Sequence, residues 1–319
     1  TWNLRWRNSL IEAGYGNQDI AHEVSMLCKR DLLFFINTFV WILETRDEMD
    51  WEIDRAFGNS RTIPFITRAY QDKVLLEVLK HLGKKDIVIP KSRETGLTWM
   101  MIAVAVWDWM FKVETHIGFV SKDEASVIFA LDPDSLFSKF HFILKNLPKW
   151  MLDESEYNWV QSDGIFRNLL TGSTLRGYAA VANAGRGGRK RWMFFDEFHF
   201  FPPADDRPSL ESSRGVTPCR ILASTFNRQR GDGGAFYDQV NKEDGSIEII
   251  EIDWKDDVKK ARGLYTSKRV GLSESFELEI LDTKFWKKFS KENGKYTHPL
   301  IANQDYAFIV DGKTRSLYY

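Results

Sequence analysis

Four side chains stand in an order that suits nucleotide chemistry: Lys91, Thr98, Asp196 and Glu197. The first two bound the stretch Lys91-Ser92-Arg93-Glu94-Thr95-Gly96-Leu97-Thr98, which follows a short apolar run, Ile87-Val88-Ile89, and precedes a longer one, Trp99 to Trp107. Strand, tight loop and helix is the setting in which backbone amides cradle phosphate. The usual pattern is glycine, four residues, glycine, lysine, then serine or threonine. Gly96 and Thr98 fit it, whereas Leu97 stands where the lysine belongs and Lys91 where the first glycine belongs. Phosphoryl transfer still requires a cation at the β- and γ-phosphates. Lys91, folding back from the front of the loop, or Arg93, two residues on, supplies it. The Thr98 hydroxyl is then a candidate Mg²⁺ ligand. All eight residues, Lys91, Ser92, Arg93, Glu94, Thr95, Gly96, Leu97 and Thr98, are candidate nucleotide contacts.

The partner stretch is Trp192-Met193-Phe194-Phe195-Asp196-Glu197. Four apolar residues followed by two acids form a Walker B pattern, with the strand delivering Asp196 to the carboxyl edge of a parallel sheet. Asp196 is expected to hold Mg²⁺, directly or through water, and Glu197 to polarise the attacking water as general base. Gln71 lies twenty residues before Lys91. Its amide can donate and accept at once, which suits an adenine edge, with Tyr70 packing against the base. Ser224-Thr225 ends another apolar strand, Arg220 to Ala223, where hydroxyls can sense the γ-phosphate through water. The basic run Gly185-Arg186-Gly187-Gly188-Arg189-Lys190-Arg191 admits two roles. It can grip a nucleic-acid backbone, or one arginine can act in trans on a neighbouring subunit's ATP. Flanking glycines give Arg186 reach, and Arg189 and Arg191 are its competitors. His199, two residues after Glu197, has no evident partner in the sequence and reads as structural.

These residues need an α/β scaffold. From Ile87 onward apolar strands alternate with helices, and strands that are apolar without interruption are buried on both faces, which predicts a mostly parallel sheet flanked by helices. Residues 1–60 read as a peripheral helical segment, with Asp31 capping the helix that begins Leu32-Leu33-Phe34-Phe35-Ile36. Residues 61–255 read as the core, and 256–319 as a charged, helical to irregular lid or linker. Within the core, 132–160 read as helical, Pro202–Pro208 as a loop, and Ile247–Trp254 as a strand. The chain has 319 residues with a net charge of −1, so a nucleic-acid partner needs a local basic patch. Cys28 and Cys219 lie outside any zinc spacing and read as buried thiols in a reducing compartment. No apolar run is long enough to span a bilayer. The chain opens on Thr1, as a segment of a longer protein would.

Tyr70-Gln71, Lys91–Thr98, Arg186, Asp196-Glu197 and Ser224-Thr225-Phe226-Asn227 occur in one order. Together they resemble the ATPase domain of the large terminase subunit of tailed double-stranded DNA bacteriophages. That family tolerates a loop of the form Lys-Ser-Arg-x-x-Gly-x-Thr, and Asp31–Ile36 resembles its entry helix. Residues 224–227 resemble its coupling motif, Ser224, Thr225 and Asn227 matching and Phe226 replacing a proline. The resemblance spans roughly residues 30 to 310. It implies a P-loop NTPase of the RecA/ASCE type that hydrolyses ATP with Mg²⁺ and drives double-stranded viral DNA into a preformed capsid. It implies Arg186 as the trans-acting finger, a homo-oligomeric ring, and the portal protein and small terminase subunit as partners. The expected location is the host cytoplasm, docked transiently at the procapsid portal, with no membrane. The family's nuclease domain is expected beyond this chain, Asp305–Tyr319 resembling the linker before it. The alternatives are a helicase or remodeller of the same superfamily, or a non-hydrolysing nucleotide- or DNA-binding module in which Leu97 marks an inactive loop.

Overall fold

A computed structural model describes residues 2–44, 61–129, 131–160, 163–181, 187–227, 229–269, 276–293 and 314–316. The chain divides into two compact units, Thr1–Glu251 and Ile252–Tyr319. Three helices open the first unit: α1 (Trp2–Gly16), α2 (Gln18–Arg30) and α3 (Leu32–Phe39). The Asp31 side chain accepts from Phe34 N at 2.9 Å and so caps α3 as expected. Strands β1 (Trp41–Leu43) and β2 (Thr62–Pro64) pair antiparallel. Then follow α4 (Ala69–His81), β3 (Asp86–Pro90), α5 (Leu97–Phe111), β4 (His116–Ser121), α6 (Glu124–Ile128) and α7 (Leu136–Lys145). The unit closes with β5 (Tyr157–Val160), β6 (Ile165–Asn168), β7 (Thr174–Ala179), β8 (Trp192–Asp196), α8 (Asp206–Arg214), β9 (Arg220–Ser224), α9 (Ala235–Val240) and β10 (Ile247–Ile249).

Eight of these strands form one sheet in the order β10-β3-β9-β8-β4-β7-β6-β5. Pairing is parallel from β10 through β7, and β6 and β5 run antiparallel at one edge. The fold is therefore the expected α/β type with a mostly parallel sheet. Ile87–Ile89, Trp192–Phe195 and Ile221–Ala223 are buried throughout, as strands covered on both faces must be. Helix α5 is apolar on nearly every side and runs through the interior, with Met100 to Val106 fully buried. Asp86 sets the register of β3 against β9. It accepts from Arg220 N at 2.7 Å and pairs with the Arg220 guanidinium at the strands' shared start. Their other ends then meet, Pro90 opposite Ser224.

Several local expectations are corrected. Residues 132–160 are not helical throughout, because α7 gives way at Asn146 and the chain enters β5. The loop expected over Pro202–Pro208 yields to α8 from Asp206, since a proline in a helix's first turn loses no intrahelical bond. The strand expected over Ile247–Trp254 covers only Ile247–Ile249, and Trp254–Asp256 is a short 3₁₀ turn. In the second unit, β11 (Tyr265–Arg269), β12 (Phe276–Ile280) and β13 (Thr314–Arg315) form an antiparallel sheet in the order β12-β11-β13, with α10 (Thr283–Asn293) following β12. Among the described residues no helix is long and apolar enough to cross a membrane.

The N-terminal helices are built into the first unit. Gly14 of α1 lies against the Trp150 indole, where a Cβ would come within 2.5 Å of the ring. Arg7 is completely buried, and its guanidinium donates to the carbonyls of Val40 (2.8 Å), Phe65 (3.1 Å) and Ile36 (3.3 Å) and to Asn3 Oδ1 (2.9 Å). Burial lowers its pKa to about 10, which leaves it charged at neutral pH. A cation there also complements the carboxyl end of α3. Arg7→Met should keep most of the packing volume while removing the donor from three carbonyls. A loss on the order of 3 kcal/mol is expected in urea unfolding, with the folded spectrum retained.

Candidate active site

The parallel strands β3, β9 and β8 are neighbours, so their carboxyl ends bring three separate stretches of chain to one edge. The loop after β3 carries Lys91 to Gly96, β8 ends in Asp196 with Glu197 next, and β9 ends in Ser224 with Thr225 next. This is the edge at which open α/β sheets bind ligands.

The loop opens with Lys91 N donating to Ser224 O at 3.0 Å, one step beyond the β3–β9 ladder. Ser92 is half-buried, Arg93 and Glu94 lie on its exposed arc, and Thr95 is buried. Glu94 takes a left-handed φ of 56° and Gly96 one of 75°. Only glycine adopts the second without strain, and a Cβ there would meet Gln71 Nε2 at 2.8 Å. Gly96 begins α5 and has no side chain to cap it. The first-turn amides and the positive end of the helix dipole therefore face the loop, as an anion site requires. Leu97 is buried in the core. A lysine there would carry its charge inward.

Gln71 and Tyr70 approach the loop from below. Gln71 Nε2 and the Tyr70 hydroxyl both donate to Thr95 O, at 3.0 and 2.9 Å, while Gln71 Oε1 accepts from Arg68 N at 2.9 Å. The amide expected to face adenine is buried and engaged in holding the loop's curvature.

Across the cleft, Thr98 Oγ1 lies 3.3 and 3.4 Å from the two carboxylate oxygens of Asp196. A hydroxyl opposed to a carboxylate is a set of hard oxygen donors and suits Mg²⁺. Burial, with a further push from the Glu197 charge, raises the Asp196 pKa to about 6, against the pull of Lys91, Lys139 and the Thr98 hydrogen bond. A carboxylate kept this far from solvent fits a site completed by a cation. Glu197 holds left-handed backbone angles, φ 51° and ψ 43°, strained for a residue with a Cβ. Its Oε1 accepts from Lys91 Nζ at 2.7 Å, and its Oε2 from Ser224 Oγ and Thr225 N, both at 3.3 Å. The Lys91 side chain is only 7% exposed, whereas that of Glu197 is 36% exposed and opens to the cleft.

The structure thus brings Lys91, Thr98, Asp196, Glu197, Ser224 and Thr225 around one point. Asn227 stands one step away, its N–H donating to His199 Nδ1 at 3.0 Å. Arg186 lies outside the described residues. Of its competitors, Arg189 is exposed, whereas Arg191 donates to the buried Asp108 at 3.1 Å and is part of the framework. His199, read from sequence as lacking a partner, is fully buried and hydrogen-bonded on both ring nitrogens. Its place two residues after Glu197 was the available signal. One other set of possible metal ligands gathers among the described residues, Glu77, His81 and Glu248. Lys80 and Lys85 already pair with its two carboxylates.

Sheet order, loop and strand-end acids define a P-loop NTPase fold of the RecA/ASCE type. No protein-family model matches the chain, and no curated protein sequence matches it. Among solved structures it is similar to the HK97 bacteriophage large terminase, at 15% identity and a TM-score of 0.50, over 69% of this chain and 43% of that one. It is also similar to a large terminase from a thermophilic bacteriophage in complex with ATP-gamma-S, at 15% identity and a TM-score of 0.41, over 70% and 48% of the two chains. The ATPase domain of the Thermus phage P74-26 large terminase gives 13% identity and a TM-score of 0.42, over 66% and 88%. The fold is thus that of the HK97 large terminase across the matched part, and the chain spans less than half of that protein's length.

The raised pKa of Asp196 has a signed consequence for stability. Its folded value of about 6 exceeds the ordinary 3.8, so the folded state binds more protons between those values and stability falls as pH rises through that window. Above pH 6 the ionised carboxylate costs the metal-free fold about 3 kcal/mol. Asp196→Asn should therefore melt higher than the parent at pH 7.5 in EDTA, with the gain shrinking as pH falls from 6 to 4. Thermal melts across that range check it.

Proposed function

We propose that this chain is the ATPase domain of a phage large terminase, hydrolysing ATP with Mg²⁺ to move double-stranded DNA into a capsid. The observation that carries the reading is the meeting of Lys91, Thr98, Asp196 and Glu197 at one sheet edge, before the uncapped start of α5. The likeness in fold to the HK97 large terminase is consistent with it.

In this reading the α5 amides and the loop backbone receive the phosphates. Lys91 Nζ now neutralises Glu197, and entering phosphate oxygens compete for it. Drawing Lys91 away frees Glu197 Oε1 to accept a proton from the attacking water, while Ser224 and Thr225 keep the other oxygen in place. Thr98 and Asp196 would hold Mg²⁺, which supplies charge neutralisation at the phosphates when bound. Lys91 is better placed than Arg93 because its ammonium already sits inside the cleft. Tyr70 and Gln71 contribute by fixing the loop. Arg186 is the proposed trans-acting arginine of a ring, so an isolated monomer turns over slowly. The portal, the small terminase subunit and DNA are the proposed partners, in the host cytoplasm.

Steady-state phosphate release tests the assignment. Glu197→Gln should lower kcat by about 10²–10⁴ with nucleotide affinity retained, as loss of a general base does. Lys91→Ala should weaken nucleotide binding as well as turnover. Parent-like rates in Glu197→Gln would remove the catalytic role. If Arg186 acts in trans, mixing Arg186→Ala with Glu197→Gln subunits in assembled rings should recover part of the activity that each lacks alone, and no recovery counts against that role.

A further inference from the structure

Just beyond the cleft, His199 is fully buried and bonded in several directions. Its main-chain N–H donates to Ser224 Oγ at 3.1 Å. Its ring accepts from Asn227 N at Nδ1 (3.0 Å) and donates from Nε2 to Gly233 O (3.0 Å). A backbone amide can only donate and a carbonyl can only accept, so these two contacts select the neutral Nε2–H tautomer. The His199 carbonyl accepts from Arg230 at 3.2 Å, and Arg230 pairs with Asp206 at 3.0 Å. Asp206 in turn accepts from Ala235 N at 3.0 Å, where α9 begins. Phe226 meets the ring edge-on at 5.9 Å, and Phe236 packs against it at 5.6 Å.

The same hydroxyl that receives the His199 amide also lies against Glu197. The single Ser224 hydroxyl proton has two acceptors in reach, Glu197 Oε2 at 3.3 Å and Thr225 O at 2.8 Å. A change in the Glu197 carboxylate therefore redistributes bonds at Ser224, which is bonded to His199, which is bonded to both ends of the segment Asn227–Gly233. That segment holds Gly231 and Gly233, its residues 229 and 231–233 are exposed, and it is tied down through His199, Arg230 and Asp206.

We propose that His199 is a positioning residue that couples the state of Glu197 to the Asn227–Gly233 segment, its two ring nitrogens holding the segment's two ends. The proposal rests on the ATPase reading above.

Its test uses the full chain, with Mg²⁺ and the slowly hydrolysed analogue ATPγS as probe, read by calorimetric binding and by peptide-resolved hydrogen exchange. In the parent, ATPγS should bind, protect residues 91–98, and change exchange over 229–235. His199→Asn keeps an acceptor near Nδ1 and cannot reach Gly233. His199→Gln reaches Gly233 and loses the Nδ1 acceptor. Each should bind ATPγS within about threefold of the parent, lose the nucleotide-dependent change at 229–235, and lower kcat about tenfold with KM little altered. A purely structural histidine would instead shift the melting temperature and leave the nucleotide response in place. Retention of that response in both variants overturns the proposal. So does a parent in which ATPγS protects 91–98 and leaves 229–235 unchanged, a result that needs no variant to fold. Failure of ATPγS to bind the parent sinks the ATPase reading and this inference with it.

Discussion

Burial of β3, β9 and β8 on both faces is the constraint on which the site depends. Ile87–Ile89, Ile221–Ala223 and Trp192–Phe195 leave no exposed face on which a polar group can sit. Polar chemistry is pushed to the strand ends, and because the strands are parallel neighbours their carboxyl ends coincide. Lys91, Asp196, Glu197, Ser224 and Thr225 meet for that reason. Helix α5, buried almost all round, fixes the other wall by bringing its first turn, with Thr98, to the same edge.

The charges gathered there do not make the metal-free fold more stable. Asp196 is disfavoured as an anion by its burial, and Glu197 sits in a left-handed backbone conformation. The Lys91–Glu197 pair offsets part of this, but a partly buried ion pair repays its desolvation only with good geometry and further hydrogen bonds. Glu197 has both, through Ser224 and Thr225. The arrangement is a set of charges held ready for ligands that bring complementary charge. Stability comes from elsewhere: the apolar sheet, α5, and pins such as Arg220 with Asp86 and Arg7 with its carbonyls.

Much of this was legible in the chain. Uninterrupted apolar runs marked the buried strands, because a strand covered on both faces has no polar positions. The same rule failed where runs were short or mixed. β1 and β2 are three residues each and too short to show a period, and the alternation of Phe276-Glu277-Leu278-Glu279-Ile280 in β12 was a strand signal that the charged composition of 256–319 obscured. Pro208 argued for a loop, yet a first-turn proline is compatible with α8. Gln71 illustrates a different limit. Its type and position suggested a role at the nucleotide base, and spacing could not show that one donor and one acceptor position also hold Thr95 and Arg68.

Residue type and local spacing by themselves determined the candidate chemistry: a loop with Gly96 and Thr98, an acid pair at a strand end, and two candidate cations, Lys91 and Arg93, in place of a lysine at position 97. These are short-range properties, set by φ preference, charge and the period of a strand. Only the tertiary structure decided that β9 lies between β3 and β8, that Lys91 reaches Glu197 across 106 residues, and that His199 binds Asn227 and Gly233. Strand order and side-chain partners depend on which distant segments pack together, and that choice belongs to the whole core, not to any one stretch of the chain.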